Sequence, residues 1–152
     1  MLSNKKLKFK IENNHLIVGD KNIDLNKVNY IEVRESSAIE GEYVIYVSTV
    51  NAGLELNLTG GCADVYDMFC ELCEAVKEQS PEFCSYYLTD LINRGNVQNV
   101  SHIGGTMLHS KVNIEFKQGE DLTHKLSKFQ FKHIKDDIDR YNAGKSQQIS
   151  MF

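Results

Sequence analysis

The chain has 152 residues, 41% of them hydrophobic and 25% charged, and a net charge of −4. That length suits one domain with a core of its own, since such a chain hides roughly two-thirds of its unfolded surface. No apolar run approaches the roughly 18 residues needed to span a bilayer, and MLSNKKLKFKIENN has no uncharged apolar core behind its lysines, which speaks against a secretory signal. A cytoplasmic protein with no membrane role is therefore expected.

The net charge conceals a polarity. Residues 1–31 sum to +3, residues 32–82 to −9 and residues 83–152 to +2. An acidic middle between mildly basic ends argues against a dedicated nucleic-acid binder, which concentrates Lys and Arg on one surface. It suits an acidic face that meets a basic partner, or one that merely solvates a helix and a loop.

From Lys6 to Ile11 apolar and lysine residues alternate, the pattern of a half-buried strand. Glu12-Asn13-Asn14 is a turn, and His15 to Val18 a returning strand. Ile23-Asp24-Leu25 is a short edge piece and Val28 to Val33 another extended run. Tyr43 to Val50, rich in β-branched and aromatic residues, is the clearest strand. Asn51-Ala52-Gly53 turns it back into the alternating stretch Leu54 to Leu58.

Gly61 to Glu78 then switches to helical spacing. Val65, Met68, Phe69, Leu72 and Val76 fall on one face, and Asp64, Asp67, Glu71, Glu74 and Glu78 on the other. Asp64 and Asp67 also suit the partial positive charge of a helix N-terminus. Five or six antiparallel strands followed by one amphipathic helix resemble a bacterial pleckstrin-homology-like domain over roughly residues 5–78. That resemblance implies a bent antiparallel sheet or open barrel of about five to seven strands, plugged at one end by the helix. The lipid-binding members carry a basic cluster at the first turn, where this chain has Glu12-Asn13-Asn14, so phosphoinositide binding is not implied.

Beyond Pro81, Phe83, Tyr87 and Leu91 at spacings of four predict a short helix over 82–93, with Ser80 as N-cap. Residues 94–106, rich in Asn and Gly, read as a long loop. Residues 107–116 read as a strand with Val112, Ile114 and Phe116 on one side, which needs a partner strand. From Asp121 to Asn142 two apolar sets at helical spacing, Leu122-Leu126-Phe129 and Phe131-Ile134-Ile138-Tyr141, predict a helix with two buried faces or a break near Gln130. A strand at Phe129–Phe131 is the alternative, and residues 144–152 form a polar tail. The fold class is thus α+β: residues 1–80 as strand meander and capping helix, and residues 81–152 as a helix–loop–strand–helix extension packed on it as one compact unit.

Four cysteines fall close together, with Cys70 and Cys73 as a C-x-x-C. A zinc site normally gathers two such pairs on turns, whereas this pair lies inside a helix, so packing thiols are expected and no cofactor or metal is called for. His102 and His109 flank a Gly-Gly pair and could act as acid and base across a loop. No phosphate-cradling loop or nucleophile elbow accompanies them.

The reading that results is a non-catalytic module that binds another protein, in its most economical form a small inhibitor of the immunity or anti-defence kind. Its candidate binding residues are Asp64, Asp67, Glu71, Glu74, Glu78, His102 and His109, and its partner would offer a basic surface. The alternatives are a self-assembling homo-oligomer built on strand 107–116 and the last helix, and a small enzyme using His102 and His109.

Overall fold

The computed structural model describes residues 8–56, 61–80, 82–85 and 90–144. Expectations resting on Lys6, Leu7, Asn57, Leu58, Pro81, Tyr87 and the tail beyond Gly144 lie outside these residues. The described chain is α+β, with eleven strands in three antiparallel sheets, none closed into a barrel, and two helices.

The first sheet is the meander β1 (Phe9–Glu12), β2 (His15–Val18) and β3 (Lys21–Asp24). Asn13 and Asn14 both take positive φ, 50° and 61°, the two-residue turn whose twist suits a hairpin. A 3₁₀ turn at Leu25–Lys27, capped by the Asp24 carboxylate on the Asn26 N–H at 3.0 Å, redirects the chain into the central sheet. There β4 (Val28–Glu35), β5 (Tyr43–Thr49) and β6 (Gly53–Glu55) form a second meander. Helix α1 (Cys62–Gln79) buries Val65, Met68, Phe69, Leu72, Cys73 and Val76 against both sheets. The expected apolar face is the one that packs.

Residues 83–93 do not form the expected helix among the described positions. β7 (Phe83–Ser85) and β8 (Asp90–Asn93) extend the central sheet to the order β6-β5-β4-β8-β7. Phe83 and Leu91 are buried as their apolar character requires. A spacing of four also keeps residues on one face of a strand, so it could not separate the two structures. Ser80 closes α1 rather than opening a new helix: its N–H bonds the Val76 carbonyl and its hydroxyl donates to Asn14 Oδ1 at 2.6 Å.

The expected loop at 94–106 is a 3₁₀ turn (Arg94–Asn96) followed by β9 (Val97–Gly105), with β10 (His109–Phe116) and β11 (Leu122–Ser127) completing a distal sheet in the order β11-β10-β9. Two register shifts against β10 break the alternation of β9, so its buried residues Val97 and Val100 lie three apart and no strand period is visible. The strand expected at 107–116 is the middle strand of this sheet, paired on both sides. Residues 121–142 divide at Ser127, earlier than Gln130: β11 uses Leu122 and Leu126, and α2 (Lys128–Asn142) buries Ile134, Asp137 and Ile138 with Phe131 packed beside them. Ser127 and Gln130 form a reciprocal capping box, its two bonds 3.1 and 2.9 Å long, and Phe129 and Phe131 belong to the helix rather than to a strand.

One pattern runs twice along the chain. β3, a 3₁₀ turn, β4, β5, β6 and α1 are followed by β8, a 3₁₀ turn, β9, β10, β11 and α2 in the same order. Asp24 and Asn93 cap the two 3₁₀ turns through equivalent side-chain bonds, and Val28 and Val97 end them. The halves interlock: β8 pairs with β4, and Asn93 Nδ2 donates to the Val28 carbonyl at 3.0 Å. One core lies under α1 and reaches Phe83 and Leu91, and a second lies between Tyr30 of β4, the distal sheet and α2.

Candidate functional site

The acidic face of α1 stands as the wheel places it. Asp64, Asp67, Glu71, Glu74 and Glu78 are exposed and form no ion pair among the described residues. No exposed large apolar residue lies on α1, so this face offers charge without a hydrophobic anchor.

Cys73 is buried and Cys70 half-buried. Burial, reinforced by the charges of Asp67 and Glu74, raises the Cys70 thiol above its ordinary range, which disfavours the thiolate that metal binding and redox exchange both need. Among the described residues no three His, Cys, Asp or Glu side chains gather as metal ligands would.

The structure does not bring His102 and His109 together. His102 pairs with Val112 and so shares its inner face, with its ring 5.9 Å from that of Phe131 on α2. On β10, Ser110, Val112 and Ile114 are buried, which turns His109 to the opposite, outer face.

What the distal sheet does assemble lies at its outer end. Thr106 closes the β9–β10 hairpin: its N–H donates to the His109 carbonyl at 2.9 Å, and its Oγ1 accepts from the N–H groups of Leu108 and His109 at 3.4 and 3.3 Å. A side chain at Gly105, where φ is +135°, would run into the His109 carbonyl, so the turn requires glycine there. At the turn these bonds brace, Met107 and Leu108 are 89% and 73% exposed. Because His109 pairs with Ser127, the start of α2 lies at the same end. It brings Phe129, 65% exposed, edge-on to His133 at 4.3 Å. Ile103, 53% exposed, stands just before the hairpin turn.

The two stretches that meet at this apolar tip carry charge of one sign. Residues 101–114 and 122–135 contain no Asp or Glu, but five lysines (Lys111, Lys125, Lys128, Lys132, Lys135) and four of the five histidines. On the outer face of β10 and β11, Thr106, His109, Lys111, Thr123 and Lys125 line a groove of about 370 Å³, with His124 between them in the strand but paired with Val112 on the inner face. A second cleft, of about 430 Å³, lies between the two 3₁₀ turns and the end of α1, and Asn14, Asn26, Gln79, Ser80, Glu82 and Asn96 give it an amide-rich wall with one carboxylate.

The sequence reading attached His102 and His109 to a loop and overlooked the tip. Its signal was legible as two stretches free of carboxylates, but only pairing shows that they adjoin. No protein-family model and no curated protein sequence matches the chain. Neither described helix is long and apolar enough to cross a membrane.

Proposed function

We propose that the protein is a non-catalytic interaction module that binds another protein through the outer end of its distal sheet. The observation that carries this reading is that Ile103, Met107, Leu108 and Phe129, four large apolar side chains, are left exposed toward one end of the three-stranded distal sheet. Exposed apolar residues that cluster, with a polar rim, are the usual mark of a protein contact. Holding Met107 and Leu108 on a hairpin turn braced by the Thr106 bonds lowers the ordering cost of association. A small inhibitor that acts by occluding its target is the simplest protein of this design. The first half, a strand meander with one helix laid across it, supports a likeness to the bacterial pleckstrin-homology-like domains, themselves a fold of binding modules.

The test is site-specific photo-crosslinking in the native cell. Benzoylphenylalanine replacing Leu108 is expected to trap a partner that the same group at Glu71 does not, and Met107→Asp with Leu108→Asp is expected to abolish it. Trapping from position 71 alone would return the interface to the acidic face of α1 and to a basic partner. A crosslink from position 108 to a second copy of this chain would make the protein a self-assembling one.

A further inference from the structure

Lys111 and Lys125 are paired directly across β10 and β11. Both are exposed, and neither forms an ion pair among the described residues. Like charges directly opposite one another in a sheet destabilise it. Elsewhere on the same outer face the chain does the reverse: Asn99 donates to Glu115 at 3.2 Å and Asn113 to Asp121 at 3.1 Å. Local rules broken at one place in an otherwise consistent element mark a place where something other than stability is served. Here both lysines line the groove with His109 beside them, and with no carboxylate in either contributing stretch.

We infer that this groove is an anion site that takes Asp or Glu side chains of the partner segment, so that the segment docked at the tip is acidic and apolar together. The inference rests on the docking reading above and adds the chemistry of the partner to it. A carboxylate between Lys111 and Lys125 would remove their repulsion on binding, a gain that an uncharged partner cannot supply. Two side chains that project from opposite positions across a pair of strands suit an extended segment, whose own side chains return to one face at every second residue. Leu108 and Met107 would then take its apolar residues beside the groove. The cleft between the 3₁₀ turns, which carries amides and one carboxylate, offers no charge of the required sign.

The experiment titrates the isotope-labelled full chain with an eight-residue peptide of alternating glutamate and leucine, followed by amide chemical shifts, with the glutamine–leucine peptide as control. The glutamate peptide is expected to shift residues 103–111 and 122–129, and the glutamine peptide to bind about tenfold more weakly. Lys125→Glu places opposite charges across the pair. It is expected to raise the thermal midpoint while weakening the glutamate peptide about tenfold, so that lost binding is not lost folding. Equal binding of the two peptides at the tip would overturn the anion site and leave the docking reading in place. Shifts at the tip with neither would count against both. Tighter binding of oligothymidylate, or of phosphatidylserine vesicles, than of the glutamate peptide would overturn the choice of a protein partner. Concentration-dependent shifts at the tip and α1 without any peptide would assign the groove to the acidic helix of a second copy.

Discussion

Arg94 Nη1 lies 3.5 Å from Asp137 Oδ1, with their side chains 7% and 0% exposed, and this pair ties the second helix to the strand–turn junction that carries the distal sheet. Arg94 also donates from Nε to the Glu82 carbonyl at 3.1 Å and stands over the Tyr141 ring at 5.3 Å. The buried Cys84 thiol is pushed well above its ordinary range, first by burial and then by the Asp137 charge. A buried pair gains little over a well-packed apolar one, but removing one partner strands the other charge. Asp137→Ala is therefore expected to cost about 3–5 kcal/mol in chemical denaturation. Arg94→Met with Asp137→Leu should recover most of that loss. A double variant whose loss equals the sum of the two single losses would show that the residues act independently.

Tyr46 offers a spectroscopic check on the contact between the central and distal sheets. Its hydroxyl donates to Glu120 Oε1 at 2.7 Å, its ring faces Tyr30 at 6.4 Å, and the Arg34 guanidinium lies 3.5 Å over it. Burial, with the Glu120 bond and charge, raises the phenol to about 12. Because the folded value exceeds the unfolded one of about 10, the stability it contributes is fully present below pH 10 and is lost as pH rises through 12. Glu120→Gln is expected to bring the Tyr46 titration, followed by ultraviolet absorbance, down towards the ordinary tyrosine range. A titration that does not move would place the cause elsewhere. Gly53→Ala should act in the same direction, because a methyl group there would fall inside the Tyr46 phenol and displace it.

The capping box at Ser127 sets where β11 ends and α2 begins. Ser127→Ala removes the acceptor for the Gln130 N–H and is expected to cost about 1 kcal/mol. Hydrogen exchange should quicken at residues 129–131 first, while β10 amides stay protected. Uniform loss of protection across the distal sheet would mean that α2 and the sheet open as one unit.

The four cysteines differ in access. Cys62 is exposed, Cys70 half-buried and raised by burial and by the Asp67 and Glu74 carboxylates, and Cys73 and Cys84 are buried. A thiol reagent at pH 8 is expected to modify Cys62 first, Cys70 much more slowly, and Cys84 only on unfolding. Rapid formation of a Cys70–Cys73 disulfide would instead give the C-x-x-C a redox role.

Elements whose period is unbroken were legible in the chain itself. Val65 to Val76 recur at helical spacing, and Val112, Ile114 and Phe116 at every second residue, so α1 and β10 follow directly from the side chains that must be buried. Phe83 and Leu91, or Leu122 and Leu126, satisfy a helix and a strand equally, and only pairing partners decide between them. β9 carried no period because its bulges consume one. The Ser127–Gln130 capping box was written in the sequence and marks the start of α2 where spacing alone did not.

By itself, then, the sequence determined the α+β class, the buried faces of α1 and β10, and the separation of acidic from basic segments, because these depend on residue type and local spacing. The tertiary structure decided which segments meet. Pairing of β10 with β11 is what sets Lys111 against Lys125, and pairing of His109 with Ser127 is what brings Phe129 to the end where Met107 and Leu108 stand exposed. The register of β10 on β11 is set by their connecting turn together with the need to bury one face of the sheet and leave the other to water, and that face is defined only once the distal sheet packs against α2.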